Sequence, residues 1–289
     1  MPCIIRQGLS TLKIAGANKE KSEETLRELF KKLEGMDFDD TPAANSNIVY
    51  EIISRIMKIK DPYKDIKSQY NTSALRLYQK LEDIVKGSDN SLHTAAKMAV
   101  AGNVIDFGVH IMEGRKVGLD SIIKETKEIP LRIDDFKYFA EDLEKTDKIL
   151  YIADNSGEIV FDKIFISKLI EMGKKVILAV KSGPIINDAT IEDVREVGLD
   201  DLVNTIETGH ACIGVDIRSA SEEFLKEFES AGVIISKGQG NFETLDEIKG
   251  KKIYFLLKAK CEKISRELGV DYLDIVFKRS DHANSGGSQ

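Results

Sequence analysis

The sequence predicts an α/β fold: a Rossmann-like, mostly parallel sheet with helices on both faces, preceded by an all-α N-terminal domain or cap. Three observations carry the prediction. Before Asp142, apolar residues recur at helical spacing almost throughout, with no strand pattern. After Lys148, short apolar runs alternate with helical segments, the signature of parallel strands joined by crossover helices. Between the two lies KILYIADNSGEIVFD at 148–162, where a buried-strand run passes through the polar turn Asp154-Asn155-Ser156-Gly157 straight into a helix. The expected divisions are a helical domain over 1–146, an α/β domain over 147–279 and a disordered polar tail over 280–289.

In the helical half, Leu26, Leu29, Phe30 and Leu33 form one apolar face, and Ile48, Val49, Ile52, Ile53, Ile56 and Met57 form another. Thr41-Pro42 reads as a helix entry, a capping residue followed by proline at the first helical position. Asp61-Pro62-Tyr63 is a break. The next helix carries Tyr70, Leu75, Leu77, Tyr78, Leu81, Ile84 and Val85 and ends at Gly87. An alanine-rich helix then starts near Ser91 and runs through Ala95, Ala96, Ala99 and Val100 into Ala101-Gly102-Asn103-Val104-Ile105-Asp106-Phe107-Gly108. Gly102 or Asn103 is expected to cap it. Asn103 acquires a further role only if the helical half folds down over a crevice below Asp154.

In the second half, strands are expected at 149–153, 175–180, 202–206, 233–235, 253–257 and near 273–277. Helices are expected at 158–172, 188–197, 219–230 and 260–268. No Gly-x-Gly-x-x-Gly follows any strand and no Walker A sequence occurs, so neither a Rossmann dehydrogenase nor a P-loop enzyme is supported.

Composition narrows the function classes. With 289 residues the chain can bury one large core or two of ordinary size. Acidic residues outnumber basic ones by 49 to 42, a net charge of −7, which argues against a nucleic-acid partner. No apolar run reaches membrane-spanning length and no charged-then-apolar leader opens the chain, so no membrane partner is expected. Cys3, Cys212 and Cys261 lack framework spacing, which predicts a reducing, cytoplasmic setting. The four histidines form no helical pair suited to zinc, so any metal should be held by oxygen.

Polar residues gather after four strands: Asp154 to Glu158, Lys181 to Asp188, a loop from Ser236 to Glu243, and Lys258 to Cys261. In a parallel sheet these all emerge at the carboxyl edge, where ligands bind. Asp154, Asn155 and Asp188 offer two charged and one neutral oxygen, a hard and open set for Mg²⁺, Mn²⁺ or a similar ion. Lys258 could balance a phosphate, and Gly238 and Gly240 would let backbone N–H groups approach it. The competing local reading is that Asp154 or Ser156 merely caps the following helix.

Taken together, the motifs are similar to those of the damage-control phosphatase family, in its stand-alone prokaryotic branch. They run along nearly the whole chain: Cys3-x-x-Arg6-Gln7, Asp61-Pro62-Tyr63, Gly102-Asn103-x-x-Asp106-Phe107-Gly108, Asp154-Asn155-x-Gly157-Glu158, Asn187-Asp188-Ala189-Thr190, Ser236 through Glu243, and Leu257-Lys258-Ala259-Lys260-Cys261. The resemblance implies a helical N-terminal part on a Rossmann-like domain and hydrolysis of phosphate monoesters of small metabolites, sugar phosphates or damaged phospho-metabolites. It implies Asp154, Asn155 and Asp188 as ligands of Mn, Ni, Co or Mg, with Asp154, Asp188 and Lys258 catalytic. It places Glu158, Asn103, Gln239, Gly240, Asn241 and Lys258 against the substrate. Two departures stand out. Cys3 lacks the partner of the Cys-x-x-Cys pair with which that branch usually opens, so Cys3 is expected to be structural or neutral. Phe255 stands where some relatives carry arginine, leaving one cation fewer for the phosphate. Two other readings are open: a haloacid-dehalogenase-like phosphatase with Asp154 as covalent nucleophile, disfavoured by Ser156 at the acid position, and a non-enzymatic phospho-metabolite-binding protein.

Overall fold

The computed structural model describes residues 2–35, 42–103 and 130–280. Thr41, the stretch from Val104 to Gly108 with Asp106, the side chain of Cys3 and residues 281–289 lie outside what it describes. Five helices lead the chain: α1 (Pro2–Ile14), α2 (Lys19–Glu34), α3 (Pro42–Met57), α4 (Lys64–Lys86) and α5 (Ser91–Gly102). Local chemistry sets their ends. The Asn18 side chain accepts the Lys21 N–H at the start of α2, and Asn90 accepts that of His93 at the start of α5. The first three helices close a small core of their own around Ile4, Leu12, Leu29, Val49, Ile52 and Ile53. Phe30 is the exception on the expected α2 face. It is 55% exposed, and Thr25, one turn before Leu29, is buried instead.

The remaining elements are β1 (Leu131–Asp134), α6 (Phe136–Leu143), β2 (Lys148–Ile152), α7 (Glu158–Glu171), β3 (Lys175–Val180), α8 (Ile191–Glu196), β4 (Asn204–Glu207), α9 (Glu222–Ser230), β5 (Val233–Lys237), α10 (Gly238–Leu245), β6 (Ile253–Lys258), α11 (Glu262–Leu268) and β7 (Ile275–Arg279). The seven strands form one sheet in the order β1-β7-β6-β5-β2-β3-β4. Every pairing is parallel except β6 with β7.

Two expectations are corrected. The region before Asp142 is not free of strands, because Leu131–Asp134 adds to the sheet edge beside β7. Four residues alternating between partly buried and exposed are too short a pattern to read alone; the open edge of β7 supplies the partner. The stretch from Ser236 to Glu243 is not a loop. Ser236 and Lys237 finish β5, and α10 begins at the next residue, turned by Gly238 at φ 79°.

The sheet is covered on both faces, which is why β2 reads as an unbroken apolar run. Ile149 and Tyr151 face a core shared with α4, α5, α6 and α7, while Leu150 and Ile152 face one shared with α9, α10 and α11. The alanines of α5 allow a close approach to α7, tight at Gly102, where an added Cβ would stand 3.0 Å from the Cβ of Phe161. Phe161 and Phe165 are fully buried there, each burial contributing about 1.5–3 kcal/mol. From β2 the chain winds outward through β3 and β4, then crosses back to β5 on the other flank of β2. That reversal opens a crevice between the carboxyl ends of β2 and β5. Among the described residues no helix is long and apolar enough to cross a membrane.

Candidate active site

The turn after β2 and the long turn after β3 are tied together at this crevice. Ala189 N–H donates to the Asp154 carbonyl (2.8 Å), Ser156 N–H to the Asn187 carbonyl (2.8 Å), and Asn155 pairs with Asp188 in an antiparallel bridge. This brings Asp154, Asn155 and Asp188 together. Ile186, at φ 45°, holds a conformation that β-branched residues rarely adopt, two residues before Asp188. Neither Asp154 nor Ser156 caps α7. The cap position is Gly157, without a side-chain cap bond, and the Ser156 hydroxyl donates to Asp193 (3.0 Å). The capping alternative therefore falls.

The helical half does fold over the crevice. The Asn103 amide, at the end of α5, donates to Asp154 Oδ2 and Glu158 Oε2, both at 2.9 Å. Its carbonyl accepts the Lys258 N–H at 3.2 Å. Asn155 Nδ2 donates to the same two carboxylates at 2.6 and 3.1 Å. A second brace comes from α4. Asn71 Oδ1 accepts the Gly157 N–H (2.7 Å), its Nδ2 donates to Asp193 (3.0 Å), and Lys67 pairs with Asp193 (2.8 Å). Asp193 also accepts the Thr190 N–H and hydroxyl, both at 2.8 Å, so a single carboxylate locks α4, α8 and the β2 turn.

Beneath the crevice lies buried charge. Lys237, with no exposed surface, donates to Glu158 (2.5 Å), Asp162 (2.6 Å) and the Ala99 carbonyl (2.9 Å). Tyr151 also donates to Asp162 (2.6 Å). Lys181 reaches the Gly214 carbonyl and Asn241 Oδ1 (3.3 Å) and stands 3.7 Å from Asp188. Asn241 in turn donates to the Lys237 and Ala153 carbonyls. Gln239 accepts the Lys260 N–H (2.8 Å) and donates to Glu243 (2.8 Å). Gly240 is where the loop at 213–214 presses on α10, and a Cβ there would meet Ile213 at 2.8 Å. The side chains of Gln239 and Asn241 are thus engaged with protein, and Gly240 is a close-packing position.

Electrostatics follow from this crowding. Burial, with the charges of Glu158 and Asp188, pushes the Asp154 carboxyl up to about 8, against the pull of Lys260 and Lys181. Burial raises Asp188 to about 6, opposed by Lys181 and Lys67. Asp162 is likewise raised to about 6 by burial, opposed by Lys237. For Lys237, burial acts downward but is outweighed by Asp162 and Glu158, so it stays protonated. Asp154, Glu158, Asp162 and Asp188 crowd around the buried Lys181 and Lys237, and the raised carboxyls of the three aspartates record a cost of ionisation that a divalent cation would relieve. The donors fit such an ion: two carboxylates and an amide, hard oxygen chemistry, over a floor cleared by Gly238, where a Cβ would lie 1.9 Å from Asp154 Oδ2. Among the described residues no group of three or more His, Cys, Asp and Glu is set to hold a metal, so remaining positions would fall to water or substrate.

Asp162, Asp193, Asn71 and Lys67 are not among the residues the sequence points to, and Lys181 and Lys237 stand there only within the polar strand-end stretches, with no buried role assigned. One signal was present: Glu158 and Asp162 stand i,i+4 with Ile159, Val160 and Phe161 between them, and paired carboxylates on an apolar helix turn need a buried partner. The α4 residues carried none, being polar positions on a helix whose partner lies over 80 residues away.

A doubly wound sheet with an acidic crevice at its switch point defines an α/β enzyme of small ligands. Comparison with known proteins narrows this. The model of the damage-control phosphatase ARMT1-like domain matches residues 1–276. The damage-control phosphatase PH1575 of Pyrococcus horikoshii is 39% identical over 242 residues, covering 83% of this chain and 82% of that protein. A damage-control phosphatase of Archaeoglobus fulgidus is 35% identical over 234 residues, covering 80% and 78%. The uncharacterized protein MJ0202 of Methanocaldococcus jannaschii is 38% identical over 247 residues, covering 82% and 80%. The crystal structure of PH1575, described as a DUF89 family protein, superposes with a TM-score of 0.87 over 97% of each chain at 34% identity. The chain belongs to the damage-control phosphatase ARMT1-like family, and with it to the phosphoric monoester hydrolases.

Proposed function

We propose that the chain hydrolyses phosphate monoesters of small metabolites, sugar phosphates or damaged phospho-metabolites, by direct attack of water with the help of a divalent ion. The observation that supports this reading is the meeting of Asp154, Asn155 and Asp188 at the switch point, where burial and crowding of the carboxyls oppose their ionisation unless a cation is present. These three would hold Mn, Ni, Co or Mg, Asn155 turning its amide oxygen inward. When bound, the ion supplies Lewis-acid neutralisation of charge on the phosphoryl oxygens.

The chain's own residues divide the remaining work. Asn103 and Lys237 fix Asp154 and Glu158, so the carboxylates need no reorganisation as the reaction proceeds. Lys258, at the end of β6, and Lys260, whose charge already reaches Asp154, supply positive charge for the phosphate. The first N–H groups of α10, from Gly238, Gln239 and Gly240, have no intrahelical acceptor, and this positive helix end, against which the Asp154 carboxyl is packed, suits negative charge. Water then forms the new P–O bond, and the ester oxygen leaves with a proton as the alcohol. A covalent route through Asp154 is disfavoured, because Ser156 stands at the acid position and is bonded to Asp193. The isolated cysteines, of which Cys212 and Cys261 are free thiols, suit the cytoplasmic setting that belongs to the same proposal.

The test is turnover of an aryl phosphate across several divalent ions, in the wild type and in Asp154→Ala. Ion-stimulated turnover that vanishes in the variant, with the fold retained, is expected. Full activity after exhaustive chelation, or in the variant, defeats the ion-dependent reading. Capture of a phosphoaspartate defeats direct water attack, and tight sugar-phosphate binding without turnover identifies a binding protein.

A further inference from the structure

The chain between β4 and α9 carries a pair of groups that the phosphatase reading does not use. Cys212 Sγ stands 2.7 Å from His210 Nδ1, and the other ring nitrogen, Nε2, stands 3.3 Å from the Asp216 carbonyl. A carbonyl only accepts, so Nε2 carries the proton and Nδ1 turns its lone pair to the thiol. A nucleophile within reach of a base, with the base oriented by a third group, is the arrangement that activates cysteines. Burial pushes the thiol up and the imidazole down, so the pair rests uncharged, with the base free to take the thiol proton.

The segment is gripped from three sides. Lys181, at the end of β3, donates to the Gly214 carbonyl, the Ile213 N–H donates to Asn47 of α3 (2.9 Å), and the Val215 N–H donates to Thr244 of α10 (2.9 Å). The Ser182 N–H also donates to the His210 carbonyl, at 3.3 Å. Cys212 is a free thiol, only partly buried, and with His210 it lines a cavity of about 650 Å³. On the cavity wall Asp216 and Arg218 pair with each other. Of the other charges there, Glu243, Asp246, Glu247 and Glu267 outnumber Lys263. The space beside the thiol thus has room for a small molecule and favours a cationic one.

We propose that Cys212, with His210 as its base, is a site of thiol–disulfide exchange for small disulfides that carry amino groups. The Cys212 proton passes to His210 Nδ1, and the thiolate attacks one sulfur of the small disulfide. A new S–S bond to Cys212 forms as the old one breaks, and the departing thiolate takes the proton back from His210. The products are a mixed disulfide and one small thiol, with the small disulfide as the oxidant. The acidic wall draws an ammonium group towards the cavity and repels a carboxylate. The assignment stands apart from the phosphatase reading, which needs no thiol.

The experiment exposes the reduced full chain to three disulfides and follows the adduct on each cysteine by peptide mass spectrometry. Cystamine is a dication, hydroxyethyl disulfide is neutral and dithiodipropionate is a dianion. Each rate is divided by that of the same disulfide with mercaptoethanol, which removes their intrinsic differences. Cystamine should modify Cys212 about tenfold or more faster than Cys261, and about tenfold or more faster than dithiodipropionate does, with hydroxyethyl disulfide between them. In His210→Asn the Cys212 rate should fall about a hundredfold, the scale of a general base, while the Cys261 rate holds. Where Cys261 speeds up as well, the variant has opened, and His210→Gln carries the same comparison. Modification of Cys212 no faster than of Cys261, a rate indifferent to His210, or a dianion as fast as the dication each overturns the assignment.

Discussion

Lys237 leaves β5 with a side chain that solvent does not touch and sets its ammonium between Glu158 and Asp162. Removing it strands two buried carboxylates. Lys237→Met should therefore destabilise the protein by about 3–5 kcal/mol in urea unfolding, the scale for one partner lost from a buried pair. A loss under about 1 kcal/mol would show that water or protons make good the charge. Lys258 is a different kind of lysine. Its backbone is anchored in the sheet and, through its N–H, to Asn103, while its side chain is only partly buried. A phosphomonoester carries close to two negative charges, and a dissociative transition state spreads them over the phosphoryl oxygens, where a point charge acts well. Lys258→Ala should lose about a hundred- to a thousandfold in kcat/KM while calorimetry finds ion affinity kept. Normal turnover would transfer the role to Lys260.

At the scale of elements, the site depends on how closely α5 lies on α7. Gly102 permits it, with Phe161 and Glu158 within 3.0–3.2 Å of any Cβ placed there. Gly102→Val should push the end of α5 away, draw the Asn103 amide from Asp154, and cost about 1–3 kcal/mol of stability. The kcat should fall further than melting alone accounts for, which steady-state rates well below the melting temperature can separate. The packing of α10 on α11 carries a pH dependence of its own. Burial, then the neighbouring Glu267 carboxylate, raise Asp246 to about 6. A carboxyl whose folded value is raised adds stability below its ordinary value, and that stability is lost as pH rises through about 6. Two units correspond to about 3 kcal/mol, which solvent screening at this half-exposed position reduces to about 1–2 kcal/mol. Asp246→Asn should accordingly raise the melting temperature at pH ~8 and leave it nearly unchanged at pH ~4. An equal shift at both would mean that the charge is irrelevant.

At the scale of the whole molecule, the crevice is assembled from both halves of the chain, so an ion bound there should stabilise all of it. At ~100 times its Kd a ligand of the native state adds about 2.7 kcal/mol. For a chain of 289 residues, at about 2.1 cal/mol/K of unfolding entropy per residue, that is about 4–5 °C in melting temperature. Mn²⁺ or Mg²⁺ should give such a shift in the wild type, chelation should remove it, and Asp188→Asn should abolish it. A shift that survives in the variant would place the ion elsewhere.

Much of this was legible in the sequence, for a local reason. Strand-length apolar runs after Lys148 and helical spacing before Asp142 are properties of neighbouring residues, and they specify a doubly wound sheet behind a helical region. The polar turn at Asp154, the Asn187-Asp188 pair and Lys258 were legible too, because each stands at the end of a run that marks a strand. What the sequence could not show depends on contacts between distant residues. β1 exists because β7 offers it an edge, and α10 starts directly at Gly238 because Asp154 leaves no room for a Cβ. Asn103 reaches Asp154 only because Gly102 lets α5 settle on Phe161, and Asn71 reaches Gly157 from another helix altogether. Lys237 reads as a loop cation and is a buried one, since the strand carries it beneath Glu158. Tyr50 reads as one more aromatic on an amphipathic helix, and only the packed chain leaves its hydroxyl buried and unpaired. Periodicity encodes which residues turn inward; which partners they meet there is decided by the packing of whole elements, where a single glycine or buried charge selects among arrangements that look alike in sequence.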